Sequence, residues 1–149
     1  MNFLGITKPS EALEAMVRGL RATKESGGKR QINMQSFGEY DNGVCYGCCA
    51  TYALAELIPD IQISEKLNDV VRLNVAIRNT NKPNASRVSD FEMAMSSLRR
   101  GDMRRLFEFF GADTAAINMQ APWGLSEGNW EQQLPFVEMT IKMLKSRGC

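Results

Sequence analysis

The chain has 149 residues, of which 44% are apolar and 23% are charged, with a formal net charge of +1. These values are ordinary for a globular protein, and they predict a single helical domain over residues 1–149. Because no apolar run approaches the roughly 20 residues of a membrane span and the start of the chain lacks the pattern of a secretory signal, we expect a cytoplasmic protein without a membrane partner.

Apolar residues at helical spacing predict the first helix, from Pro9 to about Glu25. Proline suits the first helical turn. The glycines in 26–28 favour an end there, because glycine adopts the left-handed conformation of a C-terminal cap. Residues 41–43, Asp-Asn-Gly, indicate a turn, and the alternation over 32–36 is compatible with a short strand before it.

A second helix is predicted to begin within residues 45–48 and to end at 57 or 58, before a proline. A third is predicted over 64–79. Ser64 can cap its first turn, although the apolar residues over 71–77 also alternate as they would in a strand. The cap and the length of the segment favour the helix.

Residues 89–111 are predicted to form two short helices joined by a tight turn. Ser89 and Glu92 have the spacing of a capping box at the start of the first. A last helix is predicted over 135–147, or over 126–147, and its apolar residues lie almost all round, which favours burial. The predicted fold is mainly α: a compact single-domain bundle of five or six helices with at most a small two-stranded β element.

Three of the four cysteines lie within residues 45–49, at the predicted start of the second helix. The dipole and unpaired N–H groups at a helix N-terminus stabilise an anion, and they can lower a cysteine pKa from about 8.5 into a reactive range. Cys48 and Cys45 are therefore the candidate catalytic residues. The surroundings oppose a thiolate, because residues 32–70 carry one Lys against six Asp and Glu.

The segment around Cys48 resembles the nucleophile segment of papain-like cysteine proteases. Residues 42–50 read Asn-Gly-Val-Cys-Tyr-Gly-Cys-Cys-Ala, and the resemblance implies Cys48 as nucleophile and Asn42 at the position of the oxyanion glutamine. Tyr46 stands where the family has a glycine, and Cys49 where it has a tryptophan. The general base of such an enzyme is a histidine, and the chain has none, so we expect no papain-like activity.

Three further interpretations of the cluster stay open. Cys45 and Cys48 have the C-x-x-C spacing of a dithiol redox site. Four thiolates can hold zinc if Cys149 joins the cluster, although the adjacent Cys48 and Cys49 would lie about 100° apart around a helix. The third interpretation, which we favour, is structural. Cysteine behaves as a small buried hydrophobe, and with the alanines of 50–55 it would let helices pack closely. We expect no metal and no cofactor.

Partner-binding residues are predicted at two places. Guanidinium groups cluster at the predicted turn over 99–105, where they suit phosphate, nucleic acid or an acidic protein surface. Two tryptophans follow near Pro and Gly, and tryptophan is enriched at binding hot spots. These residues are Arg99, Arg100, Arg104, Arg105, Trp123 and Trp130. The alternatives are a solvated arginine face and tryptophans packed on the end of the bundle.

The sequence holds no complete catalytic set, and without histidine general acid–base catalysis near neutral pH needs a strongly shifted group. We therefore expect a non-catalytic binding protein for a macromolecular partner, as an inhibitor, immunity-type or regulatory factor. The expected partner is a protein, with nucleic acid bound only through the arginines. The alternative is a thiol-dependent enzyme or redox protein using Cys45 and Cys48. Buried cysteines would favour the binding protein, and an open cleft the enzyme.

Overall fold

The computed structural model describes residues 3–59, 70–91, 125–126 and 128–148. Within these ranges the chain forms four helices and three strands, and residues 88–91 form a further helical segment. The elements are α1 (Pro9–Glu25), β1 (Arg30–Ile32), β2 (Glu39–Asp41), β3 (Val44–Gly47), α2 (Cys49–Leu57), α3 (Val70–Arg78) and α4 (Trp130–Ser146). No helix in the described ranges is both long and apolar enough to cross a bilayer.

The prediction of a helix bundle with at most two strands is wrong. The strands form one mixed sheet in the order β1-β3-β2, in which β3 is parallel to β1 and antiparallel to β2. Each strand has only three or four residues, too few for a period of two to stand out in the sequence. The protein is therefore a set of helices packed with a small mixed sheet.

The predicted turn at 41–43 is confirmed as the turn of the hairpin between β2 and β3. Asn42 and Gly43 both have positive φ, of 48° and 81°. Positive φ at both central residues defines the type I′ turn that Asn-Gly favours, because its twist matches that of the flanking strands. The turn fixes the register that pairs Asp41 with Val44.

The predicted helix over residues 9–25 is confirmed at both ends. Pro9 is its first residue, and the Glu11 carboxylate accepts a hydrogen bond from the backbone N–H of Thr7 at 3.1 Å. Gly27 follows the helix with a φ of 66°, a conformation that glycine adopts without strain.

The ambiguous segment at 70–78 is helical, which confirms the favoured prediction. Leu73 and Ile77 lie four residues apart, on one face of α3, and both are fully buried. The predicted helical residues 64–69 and 92–111 lie outside the described ranges.

The predicted capping box at Ser89 is wrong in its register. Residues 88–91 are already helical, so Ser89 lies inside the first turn. The carboxylate of Asp90 instead accepts hydrogen bonds from the Ser86 hydroxyl and from the backbone N–H of Arg87. The hydrogen bond from Ser86 is the main cause that lowers the pKa of the Asp90 carboxyl, and hydrogen bonds from Arg87 lower it further.

The last helix, α4, begins at Trp130, between the two predicted starts, and it is buried along one face only. Val137 and Leu144 lie in the core, whereas the Phe136 side chain is 38% exposed. The prediction of burial almost all round is therefore wrong. The helix packs against α1, and an ion pair between Lys145 and Glu14 joins the two.

Helices α1 and α2 approach each other closely where Gly19 of α1 faces the backbone of Tyr52 in α2. A Cβ atom on Gly19 would lie 2.4 Å from the Tyr52 carbonyl oxygen, well inside van der Waals contact. Ala12, Ala15 and Ala53 are fully buried in the same core. Small residues therefore set the separation of the two central helices.

We expect Gly19→Ala to lower the free energy of unfolding by about 1–3 kcal/mol, the usual cost of overpacking a core. The loss should appear even though alanine is the better helix former by about 1 kcal/mol. Urea denaturation followed by circular dichroism measures it. The matched control is Gly128→Ala, where a Cβ would meet open space. Equal effects of the two substitutions would contradict the close approach of α1 and α2.

Candidate functional site

The cysteine cluster spans the junction between β3 and α2. Cys45 lies within β3, Cys48 is the N-cap residue of α2, and Cys49 is the first helical residue. The helix predicted to begin within residues 45–48 thus begins one residue later, at Cys49. The reason is that pairing with β1 and β2 keeps residues 44–47 extended.

Cys48 is enclosed, and its thiol acts as a hydrogen-bond donor. The residue is only 7% exposed, and its Sγ lies 3.4 Å from Oγ1 of Thr51. The single hydroxyl proton of Thr51 is already donated to the carbonyl oxygen of Phe37, at 2.6 Å. Thr51 can therefore only accept a hydrogen bond from Cys48, so the thiol is the donor of this pair. The Cys48 side chain also makes no capping bond to the N-terminal turn of α2.

The other two described cysteines are also poor nucleophiles. Cys49 is 2% exposed, and its thiol lies 3.3 Å from the Met34 sulfur, to which it donates. Cys45 is half-buried, and burial raises the pKa of its thiol. The positive charge of Arg30 on β1 reduces this effect. None of the three is in a disulfide. The enclosure of Cys48 and Cys49 and the raised pKa of Cys45 therefore disfavour nucleophilic chemistry at the cluster.

Tyr52, directly behind the cluster, is the structurally decisive residue that the sequence did not single out. Its side chain is fully buried, and its single hydroxyl proton is shared between the carbonyl oxygens of Gln31 in β1 and Cys45 in β3, the latter at 3.1 Å. Burial raises the pKa of the Tyr52 hydroxyl far above its usual value. The one signal for this role is general: a buried tyrosine hydroxyl needs a hydrogen-bond partner.

Gly47, between the cysteines of the C-x-x-C pair, packs closely against α2. A Cβ atom there would lie 3.1 Å from Cγ2 of Thr51 and 3.5 Å from Cζ of Tyr52. A larger residue would therefore need Thr51 to shift by a few tenths of an ångström. The small residues of the cluster therefore match close packing, which is the structural interpretation of the sequence.

The arrangement does not support the chemistry that the cluster resembles. Asn42, at the position of the papain-like oxyanion glutamine, lies in the exposed hairpin turn, and β3 separates it from Cys48. Four extended residues span about 13 Å, too far for both to act on one carbonyl group. In the described ranges no three His, Cys, Asp or Glu side chains are grouped to hold a metal ion. Cys149 lies outside those ranges.

The predicted partner-binding residues are only partly described. Arg99, Arg100, Arg104, Arg105 and Trp123 fall outside the described ranges, and their role stays a prediction. Trp130 begins α4 and is 9% exposed, and it lines a cleft against α1 and β1. Its role as a partner contact also stays a prediction.

An acidic, exposed hairpin is the clearest surface feature in the described ranges. Glu39, Tyr40 and Asp41 form β2, at the edge of the sheet, and all three are exposed. Neither carboxylate has an ion-pair partner among the described residues. Glu39 and Asp41 therefore leave two uncompensated negative charges on this edge of the sheet.

Comparisons with protein-family models, with curated proteins and with solved structures found no match for the chain. Hypotheses about its function therefore rest on its own residues and their geometry.

We expect Tyr52→Phe to lower the free energy of unfolding by about 1–3 kcal/mol, because the shared hydrogen bond from the buried hydroxyl to the Gln31 and Cys45 carbonyl oxygens is lost. Since the folded-state pKa of Tyr52 is raised above 10.0, its contribution is fully present below pH 10 and is lost as pH rises further. The variant should therefore lose less stability than the wild type between about pH 9.5 and 11.5.

Urea denaturation at each pH measures both effects. Tyr40→Phe is the matched control, because the Tyr40 side chain is 39% exposed. If Tyr52→Phe and Tyr40→Phe had the same stability and the same alkaline dependence, the role of the Tyr52 hydroxyl would be disproved.

Proposed function

We propose that the chain is a small cytoplasmic, non-catalytic binding protein that acts on a protein partner as an inhibitor, immunity-type or regulatory factor. The observation that carries the proposal is the enclosure of Cys48 and Cys49, which are 7% and 2% exposed. A reactive cysteine has to be accessible. The Cys48 thiol is instead enclosed and donates a hydrogen bond to Thr51, which favours the binding protein over a thiol-dependent enzyme.

The acidic hairpin is the contact surface that the described residues support best. An edge strand offers unpaired backbone groups to which an extended segment can add as a further strand. Glu39 and Asp41 would select a basic segment through charge complementarity. Tyr40 lies between them, and an exposed tyrosine is a common hot-spot residue. The proposed partner therefore presents a Lys- or Arg-rich extended segment.

Charged side chains on an edge strand can also have a purely protective role, because they prevent edge-to-edge association. The two roles differ in their consequences. A protective charge leaves partner binding unaffected when it is removed and instead permits self-association. A contact charge weakens the partner complex and makes its affinity depend on salt.

We expect Glu39→Gln combined with Asp41→Asn to weaken the complex about tenfold or more, the loss expected for charge-assisted hydrogen bonds. The partner is captured from source-cell extract by tagged wild-type protein, purified, and titrated by calorimetry at two salt concentrations. The control, Glu25→Gln with Glu56→Gln, changes the net charge equally and removes only the exposed ion pair of Glu56 with Arg18.

Unchanged partner affinity together with self-association of the hairpin variant would assign the carboxylates to edge protection and disprove the contact surface. Loss of binding after Cys48→Ala in a folded protein would favour the thiol-dependent alternative. The arginine turn at 99–105 stays a second predicted contact surface, and nucleic acid binding is proposed only through it.

A further inference from the structure

A cleft of about 210 Å³ lies between the C-terminal end of α1, strand β1 and the first turn of α4. Its lining residues are Thr23, Lys24, Gly28, Arg30, Gln31, Ile32, Trp130 and Glu131. None of the cysteines and none of the hairpin residues 39–43 is among them. The volume is below the roughly 300–1,000 Å³ of sites for drug-sized ligands, so the cleft suits a smaller molecule.

The charges in the cleft leave one cation uncompensated. Lys24 Nζ lies 3.0 Å from the Glu131 carboxylate, so these two side chains neutralise each other. Arg30 has no ion-pair partner in the described part of the chain. The lining therefore offers one guanidinium group to a ligand of single negative charge.

Trp130 adds a second, independent indication of a ligand. Its side chain is 9% exposed, and its indole N–H has no hydrogen-bond acceptor among the residues that the structure describes. A buried tryptophan N–H usually finds a hydrogen-bond partner. An acceptor bound in the cleft would supply that partner.

We propose that this cleft binds a small organic carboxylate with a flat apolar body. The planar guanidinium of Arg30 matches the two oxygens of a carboxylate, and the indole N–H of Trp130 supplies a further donor. The Trp130 ring and Ile32 form apolar wall for the rest of the ligand. A phosphate dianion suits the cleft less well, because the single uncompensated guanidinium of Arg30 would balance only one of its two charges. The proposal is independent of partner binding at the hairpin.

The probe is benzoate, with benzamide as a neutral molecule of the same shape. Trp123→Phe leaves Trp130 as the single tryptophan, so fluorescence excited at about 295 nm reports on the cleft alone. We expect a saturable change in Trp130 fluorescence with benzoate and at least about tenfold weaker binding of benzamide, which lacks the charge that strengthens the hydrogen bonds. No saturable change with benzoate, or equal affinities for the two molecules, would overturn the proposal.

In the same background, Arg30→Gln should weaken benzoate binding about tenfold, and Arg30→Lys, which keeps the charge without the planar fork, should fall between it and the parent. Arg78→Gln is the matched control, because Arg78 is exposed at the end of α3 and does not line the cleft. Urea denaturation verifies folding. If Arg30→Gln is unfolded, Arg30→Lys decides the test. The proposal is overturned if Arg30→Lys binds benzoate as tightly as the parent, or if its effect equals that of Arg78→Gln. It is also overturned if inorganic phosphate binds more tightly than benzoate.

Discussion

The fold depends on the position of Tyr52. Its backbone lies against Gly19, where no side chain of α1 intervenes, and its hydroxyl donates to carbonyl oxygens of Gln31 and Cys45 on two different strands. One residue thus joins the central helix pair to the sheet. Because Tyr52 is fully buried, its hydroxyl has to find its hydrogen-bond partners within the protein, and the two carbonyl oxygens supply them.

The cysteine cluster takes its character from this packing. The chain between β3 and α2 packs closely against Thr51 and Tyr52, and Gly47 fits there without displacing either side chain. Cys48 lies buried at the start of α2. Thr51 accepts a hydrogen bond from the Cys48 thiol and donates one to the Phe37 carbonyl oxygen, which fixes the loop before β2. A spacing that suggests a nucleophile therefore serves as a compact helix start. The surfaces that we propose for function within the described residues are the acidic hairpin and the cleft beside Arg30.

The features that the sequence predicted are those with local causes. The helix at 9–25 carries its own proline and glycine signals, and the hairpin turn follows from Asn42 and Gly43. The parallel pairing of Arg30 with Cys45 joins strands fifteen residues apart, and nothing local in three-residue strands signals it. The burial of Cys48 depends on tertiary packing, so the sequence could suggest chemistry at Cys48 without revealing that it is enclosed. The placement of Arg30 and Trp130 in one cleft depends on tertiary packing as well, and the sequence could not reveal it.

The central claim is that the cysteines at the start of α2 are core residues and not a reactive site. Iodoacetamide labelling of the native protein at pH 7, with peptide mass spectrometry to resolve each cysteine, tests it most directly. We predict that half-buried Cys45 is labelled before Cys48 and Cys49, and that these two react far more slowly than a free thiol and rapidly only in urea. Labelling of Cys48 in the folded protein faster than a free thiol would contradict the claim.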